Sequence, residues 1–251
     1  MDKVITITTD FGDQFAASQL RAVITNLAFR GEIIENHSVT PFSISEGAFE
    51  IKQIAKFSPS GSIHVGVIDP GVGSNRWGVA IKTGRSWLVG PNNGLLYPIA
   101  QEEKIKSVWR LQESAFGNSV TNTFHGRDIF VKAAVFLAQG IHPKKFHCIK
   151  VPENTLEKKE FLEGEIIHID TYGNCKILYP HTVIIGKKIL INTEKNKKFT
   201  MPVCKTFNDV PRNKPLAFNG SHGTLEIAIN FSNAQRFFKF TLGEVLTIQQ
   251  L

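Results

Sequence analysis

Apolar and polar positions follow two different rhythms along this chain. Over the first 140 residues, short β-branched runs alternate with stretches that place apolar residues at helical spacing, the pattern of a layered α/β domain. Residues 4–9 predict a strand ending at Asp10-Phe11-Gly12, and residues 14–29 carry apolar residues at helical spacing, including Phe15, Leu20, Val23, Ile24 and Leu27. Further strands are predicted at 32–36, 63–68, 79–82 and 86–89. Helices are predicted at 44–57 and 127–139, the second closed by Gly140.

Beyond Pro143 the rhythm fades. Residues 144–159 are polar and aperiodic, with Pro143 and Pro152 marking a linker. Short strand-like runs then recur at 165–170, 174–178, 183–191, 216–218, 225–229 and 244–248, separated by turn residues, which predicts a small all-β domain. The expected class is therefore α/β. A layered N-terminal domain with a central, mostly parallel sheet spans 1–158, and a C-terminal β domain spans 159–251.

Composition narrows the function classes. At 251 residues, 42% hydrophobic and 20% charged, the chain can bury a sizeable core. Apolar runs fall well short of the roughly 20 residues a membrane helix needs, and the charged start MDK runs straight into a strand, unlike a signal peptide. A cytoplasmic protein without a membrane partner is expected. Cys148, Cys175 and Cys204 are widely spaced and lack ligand spacing, which fits reduced thiols rather than disulfides or a metal site. The net charge of +7 lies partly in Lys187, Lys188, Lys195, Lys197 and Lys198. That cluster lacks interleaved aromatics, so it reads as a solvated surface and no nucleic-acid partner is expected.

Chemistry concentrates at strand ends. In IHVGVIDPGVGSNR, Asp69 follows a strand-like run, and Pro70-Gly71-Val72-Gly73 turns the chain off the sheet before Arg76. In TFHGRDIF, His125 directly precedes a helix start, where unpaired N–H groups suit a polar ligand. Each acid also has a plainer reading: Asp10 as a helix N-cap, Asp69 as a turn former, Asp170 with Asn174 as a hairpin turn.

Six ordered segments carry a resemblance: TTDFG at 8–12, FSPSGSIHVGVIDPGVGSNR at 57–76, VGPNNGLL at 89–96, TFHGRDIF at 123–130, IDTYGN at 169–174 and SHGTLEIAINFSNA at 221–234. The chain resembles the SAM hydroxide adenosyltransferases, also called S-adenosylmethionine hydrolases (adenosine-forming), relatives of the fluorinase and chlorinase. The resemblance implies cleavage of S-adenosylmethionine to adenosine and methionine with no cofactor, by a catalytic set falling on Asp69, Arg76 and His125. It implies a barrel-like C-terminal domain and a homotrimer whose sites lie between neighbouring subunits. Asp10 matches the acid that holds the ribose hydroxyls, Asp170 the acid at the methionine ammonium, and Ser221 the hydroxyl near its carboxylate. Asn174, with backbone around Asn233 and Ala234, matches the adenine edge; Phe207 would stack on adenine and Phe42 line the sugar. Phe42 could equally be a core residue, and Phe207 less readily so.

The chemistry suits these residue types. A sulfonium already carries a neutral leaving group, so the difficulty lies in activating water for in-line attack on C5′. Arg76 stays protonated and can only favour developing negative charge; His125 is the expected final proton acceptor, because imidazole titrates near neutrality. The chain departs from the family where Pro91-Asn92-Asn93-Gly94 replaces the usual PDNG, and where the segment after TTDFG is one residue short, leaving Asp13 or Gln14 opposite a usual acid. Two rivals remain. A halogenase would carry tyrosine and serine in place of His125-Gly126, and a non-catalytic S-adenosylmethionine or adenosine binder could dispense with the Asp69, Arg76 and His125 set.

Overall fold

The computed structural model describes residues 3–12, 14–117 and 120–251. Its contacts divide the chain into two units, Met1–Glu160 and Phe161–Leu251.

The first unit is built on a seven-stranded sheet. Its elements run β1 (Lys3–Thr9), α1 (Gln14–Asn26), β2 (Gly31–Asn36), α2 (Ile44–Phe57), β3 (Ile63–Val67), β4 (Gly78–Thr83), β5 (Trp87–Pro91), α3 (Tyr97–Glu102), β6 (Ile105–Leu111), α4 (Val131–Ala138) and β7 (Ile149–Val151). The strand order is β2-β1-β3-β5-β4-β6-β7. The first four strands pair in parallel, whereas β4 and β7 run against the rest.

Alternation along the central strands builds both faces. Ile5, Ile7, Ile63, Val65 and Val67 join Leu20 and Ile24 of α1 and Val131 to Ala138 of α4 in one buried cluster. On the opposite face, the Thr6 hydroxyl meets Nδ1 of His64 at 2.8 Å, and Gly66 lets Ile51 of α2 and the Leu95 side chain close on the strand. Burial and the Arg85 charge push His64 down to about 4, so a neutral imidazole sits in this layer.

The region 144–159 differs from the linker expected. Pro143–Phe146 and Glu153–Thr155 are 3₁₀ turns, and β7 between them is the sheet's edge strand, paired to β6. Polar sequence there reflects an edge that faces solvent on one side. The segment is fastened by Asn92, whose amide donates to the Thr155 carbonyl at 3.0 Å and accepts from the Glu157 N–H at 3.0 Å. A carboxylate could make only the second bond, which accounts for an amide at this position.

The second unit has a four-stranded sheet and a three-stranded sheet, all antiparallel. Its elements are β8 (Ile166–Ile169), β9 (Cys175–Ile177), β10 (Lys188–Asn192), β11 (Lys198–Pro202), β12 (Pro215–Asn219), β13 (Leu225–Ile229), α5 (Ala234–Phe238) and β14 (Thr247–Gln250). The sheets are ordered β12-β13-β9-β8 and β11-β10-β14. They enclose a shared core and are bridged at Val203 and Ala217, giving the barrel-like form. The 183–191 strand begins only at Lys188, β11 was not expected, and α5 interrupts the all-β pattern because five residues are too few to display a helical period.

Asn92→Asp should lower unfolding stability by about 1–3 kcal/mol, since it orphans the Thr155 carbonyl and buries a charge. Urea denaturation followed by circular dichroism measures this; unchanged stability would show that the fastening contributes nothing.

Candidate active site

Ligand-facing groups of an open α/β sheet gather beyond the carboxyl ends of its parallel strands. Asp10 follows β1 and Asp69 follows the adjacent β3. The Asp10 loop is held from beneath: the buried Thr9 hydroxyl bonds Nδ1 of His37 at 2.8 Å, and Gly12 N–H donates to the His37 carbonyl at 3.0 Å. Phe11 stacks parallel to the same imidazole. Asp10 Oδ2 accepts the N–H of Phe42 at 2.8 Å, and Phe42 adopts a left-handed backbone with its ring 73% exposed. Asp10 is thus not an N-cap. The adjacent Asp13 lies outside the described residues, and Gln14 opens α1.

Asp69 does form the expected turn, with Val72 N–H donating to its carbonyl at 3.1 Å, but its carboxylate has a second partner. Arg76 Nη2 donates to Asp69 Oδ2 at 2.5 Å and to Nδ1 of His125 at 3.1 Å. Both members of the ion pair are nearly enclosed, with side chains 9% and 6% exposed. Burial raises the Asp69 carboxyl above the usual range, against the opposing pull of Arg76 and His125, and burial likewise lowers the Arg76 guanidinium.

The tautomer of His125 follows from its neighbour. Arg76 can only donate, so Nδ1 must accept and the neutral ring carries its proton on Nε2. That nitrogen lies 3.9 Å from a Glu113 carboxylate oxygen. Asp69 Oδ1, Arg76 Nε and Nη1, and His125 Nε2 are buried polar atoms with no hydrogen-bond partner among the described residues.

His125 is placed by an irregular turn. Gly126–Phe130 is π-helical, with Val131 N–H reaching the Gly126 carbonyl, and such turns frequently mark functional sites. Gly126 lies against Val67, where an added Cβ would come within 2.8 Å of a methyl carbon. Asp128 clamps the approach: it accepts from the Thr121 N–H at 2.9 Å, the Thr121 hydroxyl at 2.6 Å and Arg127 Nε at 2.7 Å. Burial alone would raise Asp128, yet these donors bring its carboxyl down to about 2. Arg127 reaches on to Gln19 of α1 at 2.9 Å.

Asp10, Phe42, Asp69 and His125 line one cavity of about 110 Å³, together with Phe11 and Phe124. A second cavity, of about 400 Å³, lies in the Phe161–Leu251 unit and is lined by Asn174 and Phe207 with Tyr172, Ile229, Phe231 and Ser232. There Asp170 and Asn174 do close a hairpin turn: Asp170 Oδ1 accepts the N–H groups of Tyr172 and Asn174, and Oδ2 accepts the Asn174 amide at 2.9 Å. Asn233 caps α5 by accepting the Arg236 N–H, and Ala234 behind it is fully buried. Gly173, at φ +85°, leaves room for the Asn233 amide, 2.2 Å from where a Cβ would stand. Ser221 is exposed, beside His222 at 3.3 Å, and lies outside this lining.

Family models extend the match to both units: residues 5–147 fit the SAM hydroxide adenosyltransferase N-terminal domain and 164–247 its C-terminal domain. The chain belongs to the SAM hydroxide adenosyltransferase family. Curated relatives include an (R)-S-adenosyl-L-methionine hydrolase of Thermus thermophilus, 31% identical over 90% of this chain and 92% of that protein. A fluorinase of Actinopolyspora mzabensis is 21% identical over 85% and 84%. The crystal structure of an uncharacterized conserved protein from Thermotoga maritima superposes with a TM-score of 0.89 at 26% identity, covering 98% of this chain and all of the other.

In this member of the SAM hydroxide adenosyltransferase family, sequence reasoning missed Phe11, Phe124, Tyr172 and Phe231 as cavity residues. Tyr172 and Phe231 are large aromatics inside turn motifs, and the fold leaves them 77% and 70% exposed, Phe231 with a left-handed backbone and Arg212 over its ring at 4.2 Å.

Because the folded Asp128 carboxyl lies below its unfolded value near 4, its stabilisation is present above that value and lost as pH falls through about 2. Asp128→Asn should therefore cost about 1–3 kcal/mol at neutral pH. Denaturation of both proteins across pH should show the deficit shrinking in acid; a pH-independent deficit would assign it to lost packing.

Proposed function

We propose that this protein hydrolyses S-adenosyl-L-methionine to adenosine and L-methionine. The observation that carries the reading is the buried chain Asp69–Arg76–His125, whose two ends line a cavity shared with Asp10, in a member of this family. No cofactor is proposed, since the sulfonium supplies its own electrophilic carbon.

Water attacks ribose C5′ from the side opposite sulfur. The O–C5′ bond forms, the C5′–S bond breaks, its electron pair stays on sulfur, and methionine leaves as a neutral thioether. A proton must leave the attacking water. The reading gives that proton to Asp69 rather than His125, supported by Nδ1 of His125 being engaged by Arg76 and by the Asp69 carboxyl being raised by burial, with Oδ1 not paired to Arg76. In this reading Arg76 stabilises negative charge developing on oxygen and His125 holds Arg76. Asp10 accepts the ribose hydroxyls and Phe42 covers the sugar.

The Phe161–Leu251 unit supplies the remaining contacts in the proposal: Asp170 for the ammonium, Ser221 for the carboxylate, and Asn174 with the backbone at Asn233 and Ala234 for the adenine edge. Phe207 stacks on the base. A homotrimer in the cytoplasm is proposed, in which a neighbouring subunit completes each site. Among the described residues no helix is long and apolar enough to cross a membrane, and Cys148, Cys175 and Cys204 are free and buried.

Incubation with S-adenosylmethionine in ¹⁸O-water, with and without excess halide, should place label in the 5′ oxygen of adenosine. Asp69→Asn should reduce kcat by at least about 100-fold, the scale of a positioned base. Halo-deoxyadenosine as the product would reassign the protein to halogenation, and binding without turnover would make it a sensor. Light scattering should give three times the chain mass of 28.0 kDa. Mixing Asp69→Asn with Asp170→Asn subunits should then restore part of the activity; a monomer of full activity would rule out shared sites.

A further inference from the structure

Beneath the turn that carries Asp170 lies an ion pair that the proposed chemistry does not use. Lys176 of β9 and Glu226 of β13 are directly opposed across the sheet, 8% and 6% exposed, with Nζ 3.2 Å from Oε1. Buried charges are costly and seldom kept without a partner. Lys176 has two carboxylates within reach: its Nζ is also 4.0 Å from Asp170 Oδ2. Glu226 in turn underlies the Ser221 loop, where a Cβ on Gly220 would fall 2.3 Å from its carboxylate, and its Oε1 lies 3.8 Å from His222 Nδ1.

We infer that Glu226 is a positioning residue that holds Lys176 off Asp170, keeping the Asp170 charge available for the ammonium of the amino-acid end of the substrate. The inference rests on the reading of Asp170 given above. Two carboxylates and one ammonium leave a net charge of about −1 in the cluster, which a substrate ammonium neutralises. Three N–H donations already fix the Asp170 carboxylate in place. What remains adjustable is the long Lys176 side chain, and the nearer Glu226 oxygen decides where its charge rests. Without that acceptor, Lys176 turns to Asp170 and occupies the position meant for substrate.

The test is a double-mutant cycle read in steady-state kinetics and calorimetric binding of S-adenosylmethionine. Glu226→Gln should raise KM and Kd at least about tenfold, the size expected when a charged contact is lost, and should affect kcat far less. Adding Lys176→Met to that variant should bring both constants back toward wild type, because the competing cation is gone. A double variant as impaired as Glu226→Gln would reduce the pair to a structural role and overturn the inference. If Glu226→Gln does not fold, Lys176→Met alone decides: KM and Kd at or below wild type support the inference, and a tenfold rise overturns it. Wild-type protein that binds S-adenosylmethionine without cleaving it would remove the proposed reaction while leaving the binding comparison intact.

Discussion

The site depends on one costly act, the burial of the Asp69–Arg76 ion pair. Removing two charges from water costs several kcal/mol per ion, and their attraction offsets that only when the geometry is good and the remaining donors find partners. Here the geometry is close, yet Asp69 Oδ1 and two guanidinium nitrogens have no protein partner among the described residues. A pair kept only for stability would satisfy those atoms. In the proposed reaction, leaving them unpaired exchanges stability for a field that is in place before any charge develops, as electrostatic catalysis requires.

The surrounding structure reads as support for that pair. Phe130, fully buried, packs with its ring 5.5 Å from the Arg76 guanidinium, and the π turn on the same segment brings His125 Nδ1 within 3.1 Å of Arg76 Nη2. The Asp128 clamp fixes the preceding loop, so one irregular element sets both partners of Arg76 that come from outside its own loop. On the neighbouring strand, His37 and Thr9 hold the Asp10 loop by a different network. Two adjacent parallel strands thus deliver two acids to one cavity, each through its own supports.

Much of the scaffold was legible from periodicity. Ile44–Phe57 appears with the expected bounds because its apolar face repeats over nearly four turns and Ser43 caps it. The parallel strands were visible because their short β-branched runs end at turn residues, with β3 buried along its whole length. Short or half-solvated elements were not: β7 has three residues on an edge, β11 lies in the lysine-rich hairpin, and α5 is barely more than one turn. For the site, Gly-punctuated strand ends drew attention to Asp69, Arg76 and His125, and only the fold could bring residues 49 positions apart to 3.1 Å. The cavity aromatics Phe11, Phe124, Tyr172 and Phe231 escaped because an isolated aromatic in a turn carries no periodic signal.

The division of labour inside the proposed catalytic set turns on valence rather than on acidity alone. Imidazole is the residue expected to move a proton near neutrality, but a ring nitrogen that must accept from a permanent donor is not available to accept from water. Arg76 fixes that role on Nδ1, and the consequence reaches the opposite edge of the ring, where Nε2 must hold its proton within 3.9 Å of Glu113. The acceptor left over is a carboxylate whose burial makes it more basic than an ordinary aspartate. With a neutral thioether as leaving group, no acid is needed at the other end of the reaction. In the proposed reaction, one raised carboxylate, one fixed cation and one histidine holding that cation share the work of moving a single proton.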